Sequence, residues 1–71
     1  MTLTQLHYVI TIAETKSVNK AAENLYVSQP SLTSAIKELE TELGISIFYR
    51  KGRGAVLTND GTEFLLYAKQ I

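Results

Sequence analysis

Four hydroxyl residues, Thr2, Ser17, Ser28 and Thr58, govern how this chain can fold. Each stands just before a run with helical spacing. There a side-chain oxygen can accept one of the backbone N–H groups that a helix's first turn leaves free. Thr2-Leu3-Thr4-Gln5 fits a capping box, and Leu6, Val9, Ile10 and Ala13 then recur at helical spacing until about Thr15. Ser17 opens a short helix to about Leu25, whose Val18, Ala21, Ala22 and Leu25 suit close packing. After only Tyr26-Val27, Ser28 opens a third helix with Pro30 in its first turn, where a missing N–H costs nothing. Leu32, Ile36, Leu39 and Leu43 form its narrow apolar stripe; Gly44 is a left-handed stop, and Ile45 supplies the contact after it.

The period then changes. Ser46-Ile47-Phe48-Tyr49 and Ala55-Val56-Leu57 favour strands, and Arg50-Lys51-Gly52-Arg53-Gly54 between them reads as a two-glycine turn. Thr58 caps a last helix with Asp60 in its first turn, although Asp60-Gly61 is also a turn signal. The expected class is mainly α: three helices, a two-stranded wing and a fourth helix. Residues 1–58 then form the winged domain and residues 59–71 the N-terminal part of a further helix, one face of which can pack on the small core.

Two short helices joined by a tight turn and followed by a hairpin outline a winged helix-turn-helix. In that arrangement the second helix of the pair enters the DNA major groove. At about 100° per residue, Pro30, Ser34 and Lys37 fall opposite the leucine stripe, Thr33 flanks them, and Ser28, Gln29 and Ser31 lie at the N-terminal edge. Hydroxyls serve phosphates and bases, and Gln can pair with adenine. Arg50, Lys51 and Arg53 make the expected wing tip basic.

Composition narrows the alternatives. Seventy-one residues allow one small domain. With no Cys and one His, neither a disulfide framework nor a closed metal site is available, and no cofactor is expected. His7 stands in no catalytic motif, and no glycine-rich phosphate loop is present, so an enzyme is not expected. The chain has no membrane-length apolar run and no signal-like start, which points to the cytoplasm. Seven Lys plus Arg balance seven Asp plus Glu, which is unusual for a DNA-binding domain. The opposite signs are separated, however, into Glu38, Glu40 and Glu42 and into Arg50, Lys51 and Arg53. A winged helix that contacts protein is the rival; DNA binding, unlike that rival, weakens steeply with salt.

The run Ser17-Val18-Asn19-Lys20-Ala21-Ala22-Glu23-Asn24-Leu25-Tyr26-Val27-Ser28-Gln29-Pro30-Ser31-Leu32-Thr33 resembles the helix-turn-helix signature of LysR-type transcriptional regulators. The match continues through Ile36-Lys37-Glu38-Leu39-Glu40, Leu43-Gly44, Ile47-Phe48 (leucine is usual before this phenylalanine), Arg50, Gly52-Arg53-Gly54, Leu57-Thr58 and Gly61. The resemblance implies sequence-specific binding to dyad-symmetric double-stranded operator DNA, as a dimer or a tetramer. Positions matching Gln29, Pro30 and Thr33 reach bases or sugars; those matching Ser31, Ser34 and Lys37 contact phosphates or bases; Arg53 lies near the minor groove. Ser34 stands where arginine is usual, Ala35 where glutamine is frequent and Glu38 where a basic residue is common. Affinity should therefore lean on the wing and on dimerisation.

In the last helix Phe64, Tyr67, Ala68 and Ile71 share one face by the same angular count, and Leu65 and Leu66 point away from it. An exposed apolar pair suits a partner. The resemblance implies that this helix is a linker that pairs two copies. It also implies that a small-molecule effector acts only through a domain absent from this stretch, which looks like an isolated DNA-binding fragment.

Overall fold

The computed structural model describes residues 1–52 and 54–70; Arg53 and Ile71 lie outside the described residues. The described residues form helices α1 (Leu3–Thr15), α2 (Val18–Leu25) and α3 (Gln29–Leu43), strands β1 (Phe48–Lys51) and β2 (Gly54–Leu57), and helix α4 (Asn59–Ala68). The mainly α winged helix-turn-helix expected from the sequence is the architecture observed.

All four caps act as the sequence implies. The hydroxyls of Thr2, Ser17, Ser28 and Thr58 accept the N–H groups of Gln5, Lys20, Ser31 and Gly61. Gln5 also reaches back to the Thr2 N–H, closing the capping box. Each of the first three helices ends on a left-handed residue. Gly44 does so without strain at φ 71°, whereas Lys16 and Tyr26 hold φ 58° and 57°. At the α2–α3 turn Tyr26 N–H binds the Glu23 carbonyl and Val27 N–H binds that of Ala22. This pair of bonds reverses the chain in two residues and lets Val27 fold back on the core.

The core is one cluster. Val9 and Ile12 of α1, Val18, Ala21 and Ala22 of α2, and Leu32, Ile36 and Leu39 of α3 close around Ile47 and Ala55. Thr11 is buried beside it with its hydroxyl donating to the His7 carbonyl, so burial leaves no unmade bond.

The wing sits two residues later on its first side than expected. Ser46 and Ile47 precede β1, and Arg50 and Lys51 belong to the strand rather than to the turn. Ile47 is withdrawn because the rest of the fold captures its backbone. Its N–H donates to Glu40 Oε2 at 2.6 Å, and its carbonyl accepts from Thr58 N–H at 3.0 Å. The strands pair antiparallel, Phe48 with Leu57, Tyr49 with Val56, Arg50 with Ala55 and Lys51 with Gly54. Gly52, at φ 61°, supplies the positive φ that a two-residue hairpin loop needs.

The Asp60-Gly61 turn does not form, because Gly61 lies inside α4 against the Ile47 carbonyl. A Cβ on Gly61 would lie 2.1 Å from that oxygen.

Candidate nucleic-acid interface

Gln29, Pro30, Ser31, Ser34 and Lys37 are all exposed on α3, and Thr33 beside them is half-buried. The leucine stripe of the same helix is turned into the core. This face is therefore polar, outward and rigidly mounted. Ser28 is differently engaged: its hydroxyl accepts from Ser31 N–H at 3.2 Å and lies 2.8 Å from Ser31 Oγ. It fixes the first turn of α3 and tethers the Ser31 hydroxyl, instead of projecting free.

The register of the hairpin splits the basic wing cluster. Cross-strand partners share a face. Phe48, Arg50, Ala55 and Leu57 thus occupy the face towards the helices, where Ala55 is buried. Tyr49, Lys51 and Val56 occupy the opposite, exposed face. Arg50 consequently lines a groove of about 180 Å³ between α3 and β1, together with Thr33, Lys37 and Glu40. Ile12, Val18 and Ile36 are at its base. A helix cation and a wing cation thus meet along one groove, while Lys51 stands out from the hairpin's other side. Arg53, the third basic residue expected at the tip, lies outside the described residues.

One further cation adjoins the wing that the sequence did not single out. The Lys16 carbonyl accepts Ala55 N–H at 3.1 Å, so the α1–α2 turn abuts the second wing strand. Lys16 is exposed there, and Lys20 is exposed in the first turn of α2. The contact of Lys16 with the wing could not be read from spacing.

The acidic cluster of α3 is largely occupied. Glu40 accepts the Ile47 and Phe48 N–H groups, and Glu42 pairs with the Met1 amino group, 2.7 Å from its Oε2. Glu38 is exposed on α3, Glu42 and Met1 pair at the surface, and Glu40 lines the groove beside Lys37 and Arg50.

Helix α4 seats differently from its angular count. Gly61 and Ala68 are buried, and Phe64 and Leu65 pack partly buried against the core. Leu65 is therefore not a free partner-facing residue. Its place is taken by Tyr67, which was expected inside and is 71% exposed, beside Leu66 at 62%. The reason is size: the helix approaches the core through its two smallest residues, which centres the inner face on 61, 64, 65 and 68. Leu66 and Tyr67 share a shallow outer surface with Glu63 and Gln70.

A family model described as "Bacterial regulatory helix-turn-helix protein, lysR family" matches residues 3–62. The HTH-type transcriptional regulator ClcR of Pseudomonas putida is 42% identical over 71 residues, covering all of this chain and 24% of ClcR. A probable RuBisCO transcriptional regulator of Thalassiosira pseudonana is 49% identical over 70 residues, 99% of this chain and 23% of its own. The chain thus spans about a quarter of the length of these curated relatives. Among solved structures, the DNA-binding domain of CbnR in complex with DNA superposes with a TM-score of 0.94 at 40% identity, over 99% of this chain and 80% of that one. The BenM DNA-binding domain on benA site 1 DNA gives 0.92 at 38% identity, over 99% and 81%.

Proposed function

This chain belongs to the bacterial LysR family of helix-turn-helix regulators, and from that footing we propose that it binds double-stranded operator DNA sequence-specifically for a transcriptional regulator. The observation that carries the proposal is the mounting of α3. Its exposed polar face starts at a capped N-terminus, and its Lys37 shares a groove with Arg50 of the wing. Helix α3 enters the major groove N-terminus first. Gln29, Pro30 and Thr33 read base edges or sugars, and Ser31, Ser34 and Lys37 hold phosphates or bases. Ser28 acts chiefly by fixing the first turn of α3. Arg50, Lys51 and Arg53 hold the flanking backbone or minor groove.

The fit to the CbnR and BenM domains, whose structures were solved with DNA, supports this reading. It needs no cofactor and no catalytic group. Two copies pair through the outer face of α4, with Leu66 and Tyr67 in place of the expected Leu65–Leu66 pair. They would present two α3 helices to half-sites about one DNA turn apart. Tetramers belong to the full-length regulator, as does response to any small-molecule effector, and the protein works in the cytoplasm.

The deciding experiment is duplex affinity against salt. Engagement of the α3 and wing cations gives a log–log slope between about −2 and −5, from about −0.9 per phosphate neutralised. A slope near zero would favour the protein-contact alternative.

A further inference from the structure

Glu40 makes a contact that neither the stability of α3 nor charge complementarity to DNA requires. Its Oε2 accepts the N–H of Ile47 at 2.6 Å and that of Phe48 at 3.3 Å, seven and eight residues further on. Its own backbone carbonyl receives Gly44 N–H at 2.8 Å and Ile45 N–H at 3.2 Å. One residue thus holds both the end of the DNA-facing helix and the first residue of the wing. The carboxylate also lines the groove in which Thr33 and Lys37 of α3 face Arg50 of β1. A carboxylate beside a DNA-facing surface repels phosphate, so its presence here calls for a compensating role.

We propose that Glu40 is a positioning residue for DNA binding. Its carboxylate fixes the root of the wing against α3, so that helix face and wing cations meet the duplex in one register. The reasoning is geometric. Antiparallel strands carry the position of their first residue out to the tip, so a shift at Phe48 moves Arg50 and Lys51 with it. Two charge-assisted bonds to consecutive N–H groups define the orientation of that first peptide. The proposal rests on the reading that the wing touches DNA.

The test uses duplexes selected from a random pool, with affinity measured against salt and expressed per folded molecule. Lys51→Ala is the wing reference. Lys51 lies on the hairpin face opposite Phe48 and Arg50, so direct contact with Glu40 does not enter. Lys51→Ala should weaken binding about tenfold near 0.1 M salt and make the slope less negative by about one. Glu40→Asp keeps the charge but withdraws the carboxylate by one methylene. It should weaken binding by about tenfold as well, with a shallower slope. Glu40→Gln keeps an acceptor oxygen at the same reach, and should retain most of the wild-type affinity and slope. Glu40→Asp combined with Lys51→Ala should lose less than the product of the single losses, because both remove the same wing contact.

A purely structural role would leave the affinity of folded Glu40→Asp unchanged. Simple charge repulsion would leave Glu40→Asp unchanged and make Glu40→Gln tighter than wild type. Either pattern, or strict multiplication in the double variant, overturns the proposal. If Glu40→Asp does not fold, Glu40→Gln decides through amide exchange at Ile47 and Phe48: affinity that is kept or lost together with their protection supports the proposal, and protection lost while binding holds or tightens overturns it. If Lys51→Ala and Arg50→Ala both bind as wild type, the wing reading itself fails, a result separable from failure at Glu40 alone, and the proposal falls with it.

Discussion

Tyr26 shows how one residue can carry a cost that its own side chain does not repay. It is 95% exposed, so its ring packs on nothing in the chain, yet it holds φ 57° to turn α2 into α3. A left-handed residue with a Cβ costs about 1–2 kcal/mol, and glycine gives back about 0.5–1 kcal/mol through unfolded-chain entropy. Tyr26→Gly should therefore raise unfolding free energy by about 0.5–1 kcal/mol in denaturant titration. A loss of stability would show that the ring has a packing role. Base recognition is also tested at this scale. Gln29→Ala and Thr33→Ala should each cost about 1–3 kcal/mol on the preferred duplex and change which sequence is preferred. Equal loss on every sequence would assign both to the phosphate backbone.

At the scale of elements, the helix starts and stops were legible because each depends on one side chain and the backbone next to it. Thr2, Ser17, Ser28 and Thr58 cap as their positions implied, and Gly44 stops α3. The wing was misjudged on its first side because Ile47 looks like a strand residue by propensity. Its backbone is claimed by Glu40 and Thr58, partners seven and eleven positions away. No local pattern displays that. The outward face of α3 was legible from the leucine stripe, but the separation of Arg50 from Lys51 required the cross-strand register. The inner face of α4 was misjudged because the count followed large apolar residues, whereas the helix docks through Gly61 and Ala68. That docking gives a prediction with an unusual sign. Gly→Ala inside a helix normally stabilises by about 0.5–1 kcal/mol. Here the added Cβ would lie 2.1 Å from the Ile47 carbonyl oxygen. Gly61→Ala should instead destabilise by about 1–3 kcal/mol. A stabilised variant would mean that α4 moves off Ile47 without penalty.

For the whole molecule, zero net charge conceals an arrangement suited to a polyanion. Glu40 is bonded to the first N–H groups of the wing and Glu42 pairs with the Met1 amino group at the surface, while Lys37 and Arg50 line the α3–wing groove and Lys16 adjoins Ala55 of the second wing strand. The local field, not the sum, decides the approach to DNA. Pairing belongs to this scale too. Leu66→Glu with Tyr67→Glu should yield monomers in sedimentation with the helical signal kept, because both side chains face out. A wild-type chain already monomeric at millimolar concentration would remove α4 as a self-sufficient pairing element. The central claim is that α3's outward face and the wing together form the DNA surface. Amide chemical-shift mapping with a duplex of about two helical turns tests it most directly. The expected result is that the largest changes fall on the amides of Gln29, of residues 31–37 and of Arg50 and Lys51. Changes confined to α4, or α3 amides unmoved at saturating duplex, would contradict it.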